Sequence, residues 1–443
     1  MKPDIFIISL GCPRNLVDSE VLEGTLKSKG FRVVGGFRKR AIAIVNTCGF
    51  IEDAKQESID IILELAELKK RGEIPCLIVA GCLPQRYRSN LTAEISEIDA
   101  IFGCSTFAKI PAYLESILKG RKVCEVSNKP RFLYDHKTPR SVITPRHSVY
   151  VKIQEGCMNF CSYCVIPKIR GPFRSRSTES VLREMSSLKA SGAKEISLIG
   201  QDTTLYGVDR YKNLKLAHLL KKASRIMKRG WLRLLYTHPA HYTDELIDVV
   251  RVEPSVCKYL DLPIQHINDK ILKRMNRRVT KKNIISLIAK LRRRIPNLAI
   301  RTSMIVGFPG ETEKDFRELE SFIKEFKFDR LGAFMYSREE GTRAYNFKNQ
   351  LSREEKSERL KRIMEIQKSV ASENNRAYLG KTVRVLIDEK VRLEKGQYVG
   401  RTEHDAPEVD GNVYVRSARS LKKGDFVDVK IEDTLEYDLV GSV

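Results

Sequence analysis

The run SVYVKIQEGCMNFCSYCVIP, residues 148–167, decides the architecture. Residues 148–154 read as a buried parallel strand, being short, apolar and β-branched. Directly behind it stand Cys157, Cys161 and Cys164 in a Cx3Cx2C spacing. Thiolates hold iron–sulfur clusters, and closely spaced cysteines on one loop can wrap a single cluster. Three thiolates leave one iron of a 4Fe-4S cluster without a protein ligand, which makes it a binding position for a substrate or cofactor. Zinc is the rival, but structural zinc takes four protein ligands, and no His or further Cys closely follows Cys164. Three packing cysteines at this spacing by chance is the remaining alternative.

Downstream the strand pattern repeats at 195–199, 232–236, 259–261, 299–306 and 330–334. Helical spacing fills the gaps at 179–191, 214–229, 244–251, 281–294 and 314–326. Strand–helix units of this length predict a full or partial parallel barrel. A helix over 353–377 closes it, with Ser352 and Glu355 as a capping box. Upstream, strands at 4–10, 41–47, 76–80 and 99–102 alternate with helices at 17–29 and 53–70, an open parallel α/β sheet. The stretch 127–147 carries Pro130, Pro139 and Pro145 and reads as a linker. From 382 onward short strands alternate with Gly and Asp, predicting a small all-β barrel or sandwich. The division expected is 1–120, a linker at 121–142, 143–374, and 375–443. About three domains also suit 443 residues.

Ten cysteines occur in all. Cys12, Cys48 and Cys82 each follow an apolar strand. In an open α/β sheet the C-terminal strand ends converge on one crevice, where three thiols could hold a second cluster. Small buried core cysteines are the plainer alternative. Cys104 follows Ile101-Phe102-Gly103 and could reach the same edge. Cys76 begins its strand and belongs at the opposite edge, while Cys124 and Cys257 read as packing residues.

Net charge is +24, with 42% hydrophobic and 31% charged residues, so a folded chain is expected and disorder is not. No uncharged stretch exceeds twelve residues, too short to span a bilayer. Met1-Lys2-Pro3-Asp4 runs straight into a strand without a signal-peptide pattern, so a cytoplasmic, reducing location is expected. Residues 378–443 hold 11 Lys/Arg against 13 Asp/Glu, net −2, which leaves +26 on the rest. A basic body suggests work near nucleic acid, or a solvated basic surface. Residues 270–294 hold 11 Lys/Arg and no acid, and could track phosphates or form the wet face of outer helices.

Gly307-Phe308-Pro309-Gly310-Glu311 and Gly200-Gln201-Asp202 follow barrel strands. Backbone there could approach a cofactor closely, so Gly200, Gln201, Gly307, Gly310 and Glu311 are candidate cofactor contacts, with tight βα turns as the alternative. His238, His241 and His266 also follow barrel strands, where catalytic groups gather, with a structural or supporting role as the alternative.

The cysteine run resembles that of the radical S-adenosylmethionine (SAM) enzymes. With the three N-terminal cysteines and the β-rich tail, nearly the whole chain resembles the methylthiotransferase family. The resemblance implies an auxiliary 4Fe-4S cluster on Cys12, Cys48 and Cys82. It implies a SAM-binding 4Fe-4S cluster on Cys157, Cys161 and Cys164 in a partial barrel, and a substrate-docking TRAM tail. It gives Cys104 no role. SLGCPRNLVDSE (9–20), NTCGFIEDAKQESI (46–59), GQDTTLYGVDRY (200–211), YLDLPIQHINDKILKRMNR (259–277) and RTEHDAPEVDGNVYV (401–415) resemble the branch that modifies an aspartate of ribosomal protein S-twelve. The implied product is 3-methylthioaspartate, made with two SAM and a sulfur delivered at the auxiliary cluster. The protein substrate would be free or in the small subunit, with contact to ribosomal RNA and an electron donor such as flavodoxin or ferredoxin. No amino-acid side chain is implied as catalytic. The branch acting on tRNA adenosine shares all six cysteines but typically has Asn where Asp202 stands. A non-catalytic ribosome-associated iron–sulfur protein is the alternative from another class. Because the tail is acidic and a ribosomal protein basic, Glu403, Asp405, Glu408 and Asp410 are the expected docking carboxylates, with a solvated turn as the plain alternative.

Overall fold

The computed structural model describes residues 3–391 and 394–443, so Met1 and Lys2 of the N-terminal reading lie outside the described residues. The first unit is a six-stranded parallel sheet: β1 Ile5–Ser9, β2 Val33–Val34, β3 Ile42–Thr47, β4 Leu77–Gly81, β5 Ala100–Gly103 and β6 Val123–Glu125. Its order is β2-β1-β3-β4-β5-β6. The central strands IAIVNT and LIVAG are buried throughout, as layers of helix on both faces demand. The two edge strands, two and three residues long, are too short to register as strand patterns in the sequence. The helix Pro13–Ser28 departs from ordinary amphipathic logic by burying Asn15, Asp18, Ser19 and Glu20. It packs on β1 on one side and on the neighbouring barrel's β7 on the other, so its polar residues lie at a junction.

The second unit contains β7 Ser148–Lys152, β8 Gln154–Glu155, β9 Arg174–Ser175, β10 Glu195–Ile199, β11 Trp231–Leu234, β12 Tyr259–Asp261, β13 Ala299–Val306 and β14 Arg330–Met335. Two parallel sheets, β11-β10-β7 and β12-β13-β14, meet through the bridge between Leu232 and Val256. All six expected strands are present, and the barrel is partial, with β7 and β14 at its open edges. The closing helix Arg353–Arg376 carries the Ser352–Glu355 capping box. The first unit grips both edges. Its helix Pro13–Ser28 covers β7, and its Arg86 (2.7 Å) and Lys55 (3.2 Å) pair with Glu339 beyond β14.

The proline-bearing stretch before Ser148 has no regular structure, yet it is not a loose linker. Arg140 there pairs with Glu20 and Glu184, each at 2.5 Å, and strapped between them Tyr134 is buried. The basic run also differs from a free phosphate track. Lys270, Lys281, Lys290 and Arg294 pair with Asp315, Glu318, Asp244 and Asp248 on neighbouring helices, and Arg277 is buried. Cys124 corrects the packing expectation, because it is exposed on edge strand β6, while Cys257 is buried as expected.

The third unit is a closed five-stranded barrel of β15 Thr382–Lys390, β16 Gln397–Thr402, β17 Val413–Arg416, β18 Phe426–Thr434 and β19 Leu439–Ser442. It docks on the N-terminal ends of the larger barrel's strands, opposite the cysteine loop. Glu195, at the start of β10, lies between Arg233 (2.7 Å) and Arg401 (2.8 Å), and Arg401 also holds Asp388 (2.8 Å).

The expected docking carboxylates are mostly consumed here. Asp405 accepts from Arg330 Nε at 2.9 Å and Thr402 Oγ1 at 2.6 Å. Asp410 accepts from the Tyr259 hydroxyl at 2.6 Å and Arg301 Nε at 3.2 Å. The Glu403 carboxylate accepts the Lys258 amide at 2.9 Å, and its carbonyl accepts Arg233 Nη1 at 2.8 Å. Arginines on the barrel floor would otherwise be buried unpaired, and the acidic loop neutralises them. Of the four, only Glu408 is exposed. Among the described residues no helix is long and apolar enough to cross a membrane.

Glu195 stays ionised despite its burial because two guanidinium groups outweigh desolvation, bringing its pKa down to about 2. Breaking one partner of such a buried pair costs about 3–5 kcal/mol. Arg401→Ala should therefore lower the unfolding free energy by that order in denaturant titration. It should also make residues 379–443 the first segment cut in limited proteolysis.

Candidate active site

Strand ends build the site. Cys12, Cys48 and Cys82 stand at the C-terminal ends of β1, β3 and β4, three neighbours in the sheet. Gly11 makes their approach possible. It has φ +85°, and a Cβ there would lie 2.7 Å from Cys48 Cβ. Burial pushes the Cys48 thiol up to about 12, with Cys82 and Cys12 the charges that add to it. Cys12 is also desolvated, but Arg14 and Arg170 outweigh that and lower its pKa. At Cys82 a hydrogen bond from Cys104 and the charge of Arg170 overcome burial and bring the thiol to about 6. Thiolates are the metal-binding form, so the guanidinium groups favour a loaded site. Cys76, by contrast, precedes β4 and lies buried at the opposite edge, as expected.

The second triad lies on the loop after β8. Gly156 has φ +75°, and a Cβ there would meet the Pro172 carbonyl at 2.2 Å, so only glycine makes this turn. The Ser162 amide donates to Met275 O (2.9 Å) and Asn276 Nδ2 to Phe160 O (2.9 Å), anchoring the loop at two points. Arg277 Nη1 lies 3.6 Å from Cys161 Sγ. Burial raises Cys157 to about 11 and lifts Cys164 as well. Three free thiols on each set of supports, with guanidinium groups at the sulfurs of Cys12, Cys82 and Cys161, fit two clusters of the kind expected.

Two arginines join the triads. Arg14 Nε approaches Cys12 Sγ at 3.4 Å, its Nη1 donates to the Gly200 carbonyl at 3.1 Å, and its guanidinium lies 4.2 Å over the Tyr236 ring. Arg170, on the helix Ile166–Arg170 just after Cys164, brings Nη2 within 3.3 Å of Cys82 Sγ. Val165 and Ile169 pack with Cys82 and Cys104 in one apolar cluster. The two cysteine sets therefore line one crevice between the units. Arg14 and Arg170 were missed in the sequence, although two- and six-residue offsets from Cys12 and Cys164 were available as a signal. Arg277 lies in the basic run 270–294, but nothing in the sequence tied it to Cys161.

Among the candidate cofactor contacts, Gly200 and Gln201 lie in this crevice. Gln201 Nε2 donates to Glu155 at 2.6 Å, and its buried Oε1 has no partner. Glu311 corrects the expectation. Its carboxylate is fully buried, accepts the Gly307 amide at 3.0 Å and pairs with Arg359 at 2.7 Å. Gly307 backs onto Lys356 and Gly310 onto Arg274. This turn also buttresses the cysteine loop, through the Phe308 ring set edge-on to Tyr163.

Asp202, His238 and His241 come within 4.8 Å of one another through their ligand atoms. Burial lowers the His238 pKa to about 2, so it is neutral. Its Nδ1 accepts the Ala240 amide at 3.2 Å, and its buried Nε2 has no partner. Asp202 is occupied by Asn159 (2.7 Å) and His241 (3.0 Å). This is a polar scaffold under the cysteine loop. His266 is fully buried, 3.6 Å from Glu311, in a supporting position.

Residues 151–323 match the Radical SAM superfamily, 4–103 the Uncharacterized protein family UPF0004, and 379–443 the TRAM domain. A curated protein of Clostridioides difficile (strain 630), "Ribosomal protein uS12 methylthiotransferase RimO", is 47% identical over 99% of this chain and 98% of its own length. The protein of the same name from Geobacter sulfurreducens is 46% identical over 100% and 99%. The chain belongs to the RimO family. As a RimO-family radical SAM methylthiotransferase it is a transferase enzyme, and its cofactors are 4Fe-4S clusters and SAM. Among solved structures, the radical SAM methyltransferase TsrM from Kitasatospora setae covers 76% of this chain and 75% of its own, at 17% identity and TM-score 0.57. That likeness concerns the fold alone.

If Glu311 serves the turn in this RimO-family chain, Glu311→Ala should cost about 3–5 kcal/mol of stability by stranding Arg359. The folded variant should keep its SAM dissociation constant within about twofold, a difference of under half a kcal/mol. Equilibrium dialysis alongside denaturant titration checks both.

Proposed function

We propose that the enzyme converts an aspartate of ribosomal protein uS12 (S-twelve) to 3-methylthioaspartate. The observation that carries this is near-half identity to curated RimO proteins across essentially the whole chain. Cys157, Cys161 and Cys164 hold the SAM-binding cluster, and Cys12, Cys48 and Cys82 the auxiliary one. The working division is 1–120 for the auxiliary site, 121–142 as strap, 143–374 as radical SAM core and 375–443 as the TRAM unit.

When bound, the clusters and SAM supply a radical strong enough to take hydrogen from an unactivated carbon, and the sulfur that replaces it. This chain's residues supply the rest. Arg14, of the first unit, contacts Cys12 Sγ and the Gly200 carbonyl of the second, while Arg170, of the second, contacts Cys82 Sγ and the Asp18 carboxylate of the first, and the two together fix the spacing of the triads. Gly200 and Gln201 form the floor between them. On the side of Cys48, Cys82 and Arg170 the crevice is buried, which keeps out water that would quench a radical. With Asp405 and Asp410 committed to internal pairs, recognition of a basic partner by the TRAM unit falls to Glu408 and other exposed groups. Ribosomal RNA contact, two SAM per product and a flavodoxin- or ferredoxin-type donor belong to the same proposal.

Mass spectrometry of uS12 from cells with and without the gene tests the substrate. A methylthio group on tRNA adenosine instead, with uS12 unmodified, would move the enzyme to the other branch. The triple Ala variant at Cys157, Cys161 and Cys164 should lose SAM cleavage and about half its iron, since three thiolates serve each cluster. The triple variant at Cys12, Cys48 and Cys82 should still release 5′-deoxyadenosine but yield no methylthio product.

A further inference from the structure

Four adjacent strands of the first sheet, β1, β3, β4 and β5, each end in a paired glycine and cysteine: Gly11-Cys12, Cys48-Gly49, Gly81-Cys82 and Gly103-Cys104. The fourth cysteine has no assigned role. Cys104 is buried, and its Sγ lies 3.7 Å from Cys82 Sγ. Arg170 Nη2 reaches the same Cys82 sulfur from the other side at 3.3 Å. A sulfur that already faces a guanidinium donor is the acceptor, so the S–H belongs to Cys104. Cys104 touches Cys82 but lies one strand beyond the triad. Three strand spacings, roughly 14 Å, separate β5 from β1, against two for β4. It is therefore placed beside the cluster ligands and not among them.

We propose that Cys104 is a tuning residue for the auxiliary cluster, donating its S–H to the Cys82 thiolate. This rests on the reading that Cys12, Cys48 and Cys82 hold that cluster. Hydrogen bonds to cluster sulfurs are among the determinants of reduction potential. A donor withdraws electron density from the thiolate and stabilises the reduced cluster, which carries one more negative charge, so the potential rises. The three ligands are then unequal. Cys82 receives Cys104 and Arg170, Cys12 receives Arg14, and among the described residues no side-chain donor bonds to the Cys48 sulfur. Neighbours that act on a metal through its ligand commonly matter nearly as much as the ligand itself. Cys104 would set how readily the auxiliary cluster takes an electron relative to its partner across the crevice.

The test uses the full chain with Cys157, Cys161 and Cys164 replaced by Ala, so that only the auxiliary cluster is observed. Cys104→Ala and Cys104→Ser are added to that background, and iron content and midpoint potential are measured by redox titration followed by electron paramagnetic resonance. Expected are unchanged iron in both variants, a midpoint shifted to more negative potential in Cys104→Ala, and a return toward the parent value in Cys104→Ser, which keeps an O–H donor. An unchanged midpoint in Cys104→Ala overturns the proposal. Loss of iron in both variants also overturns it, by making Cys104 a ligand. A parent without iron fails the auxiliary-site reading itself, and the proposal with it, so the two failures are told apart before any Cys104 variant is compared.

Discussion

Everything in the crevice depends on a buried ionic cluster at the seam between the first two units. Asp18, from the helix Pro13–Ser28, is gripped by Lys152 at the end of β7 and by Arg170 after the cysteine loop. Lys152 also pairs with Glu155 at 2.7 Å, and Glu155 accepts from Gln201. Its own pKa is held down to about 2, as Lys152 and Arg170 outweigh its desolvation. Such a cluster adds little net stability over an apolar seam, but removing one member is expensive. Its geometric demands are strict, and that is its use here. An apolar interface could slide by an ångström, whereas these charges are satisfied at one relative placement, which also sets the distance between the two cysteine sets.

The same logic recurs at the other end of the barrel. Arg233, Arg301 and Arg330 line its floor, and Glu195, Asp405, Asp410 and the Glu403 carbonyl from the small barrel or its seam satisfy them. The strongly basic composition is thus partly spent inside the molecule. Charges that look like a binding surface in a composition count become structural when they are placed between units. The acidic tail and basic body are complementary to each other before they are complementary to any partner.

Between these two seams the barrel holds the cysteine loop rigidly. The edge-to-face aromatic cluster of Tyr163, Phe308, Tyr336 and Phe347 backs it from behind, while Asn159 ties it to Asp202 and the paired histidines beside it. Open edges at β7 and β14 would otherwise leave a partial barrel to breathe, and the first unit closes both. Rigid support on all sides suits chemistry in which a reactive radical must meet one atom and no water.

The sequence by itself determined the longer strands, the long helices and the six strand-end and loop cysteines. These follow from local periodicity and short-range spacing, which the chain carries without reference to its fold. Tertiary structure alone decided what the charges do. Glu311 resembles a cofactor contact from its place after β13, yet it caps its own turn against Arg359, forty-eight residues away. Asp405 and Asp410 read as docking groups and proved to be partners of Arg330 and Arg301, seventy-five and 109 residues distant. Arg277 reaches Cys161 across 116 residues. Charge pairing at such separations leaves no periodic trace, because any carboxylate at the right place in space serves equally. Which basic and acidic groups remain free to meet a partner is therefore settled only when the units are packed.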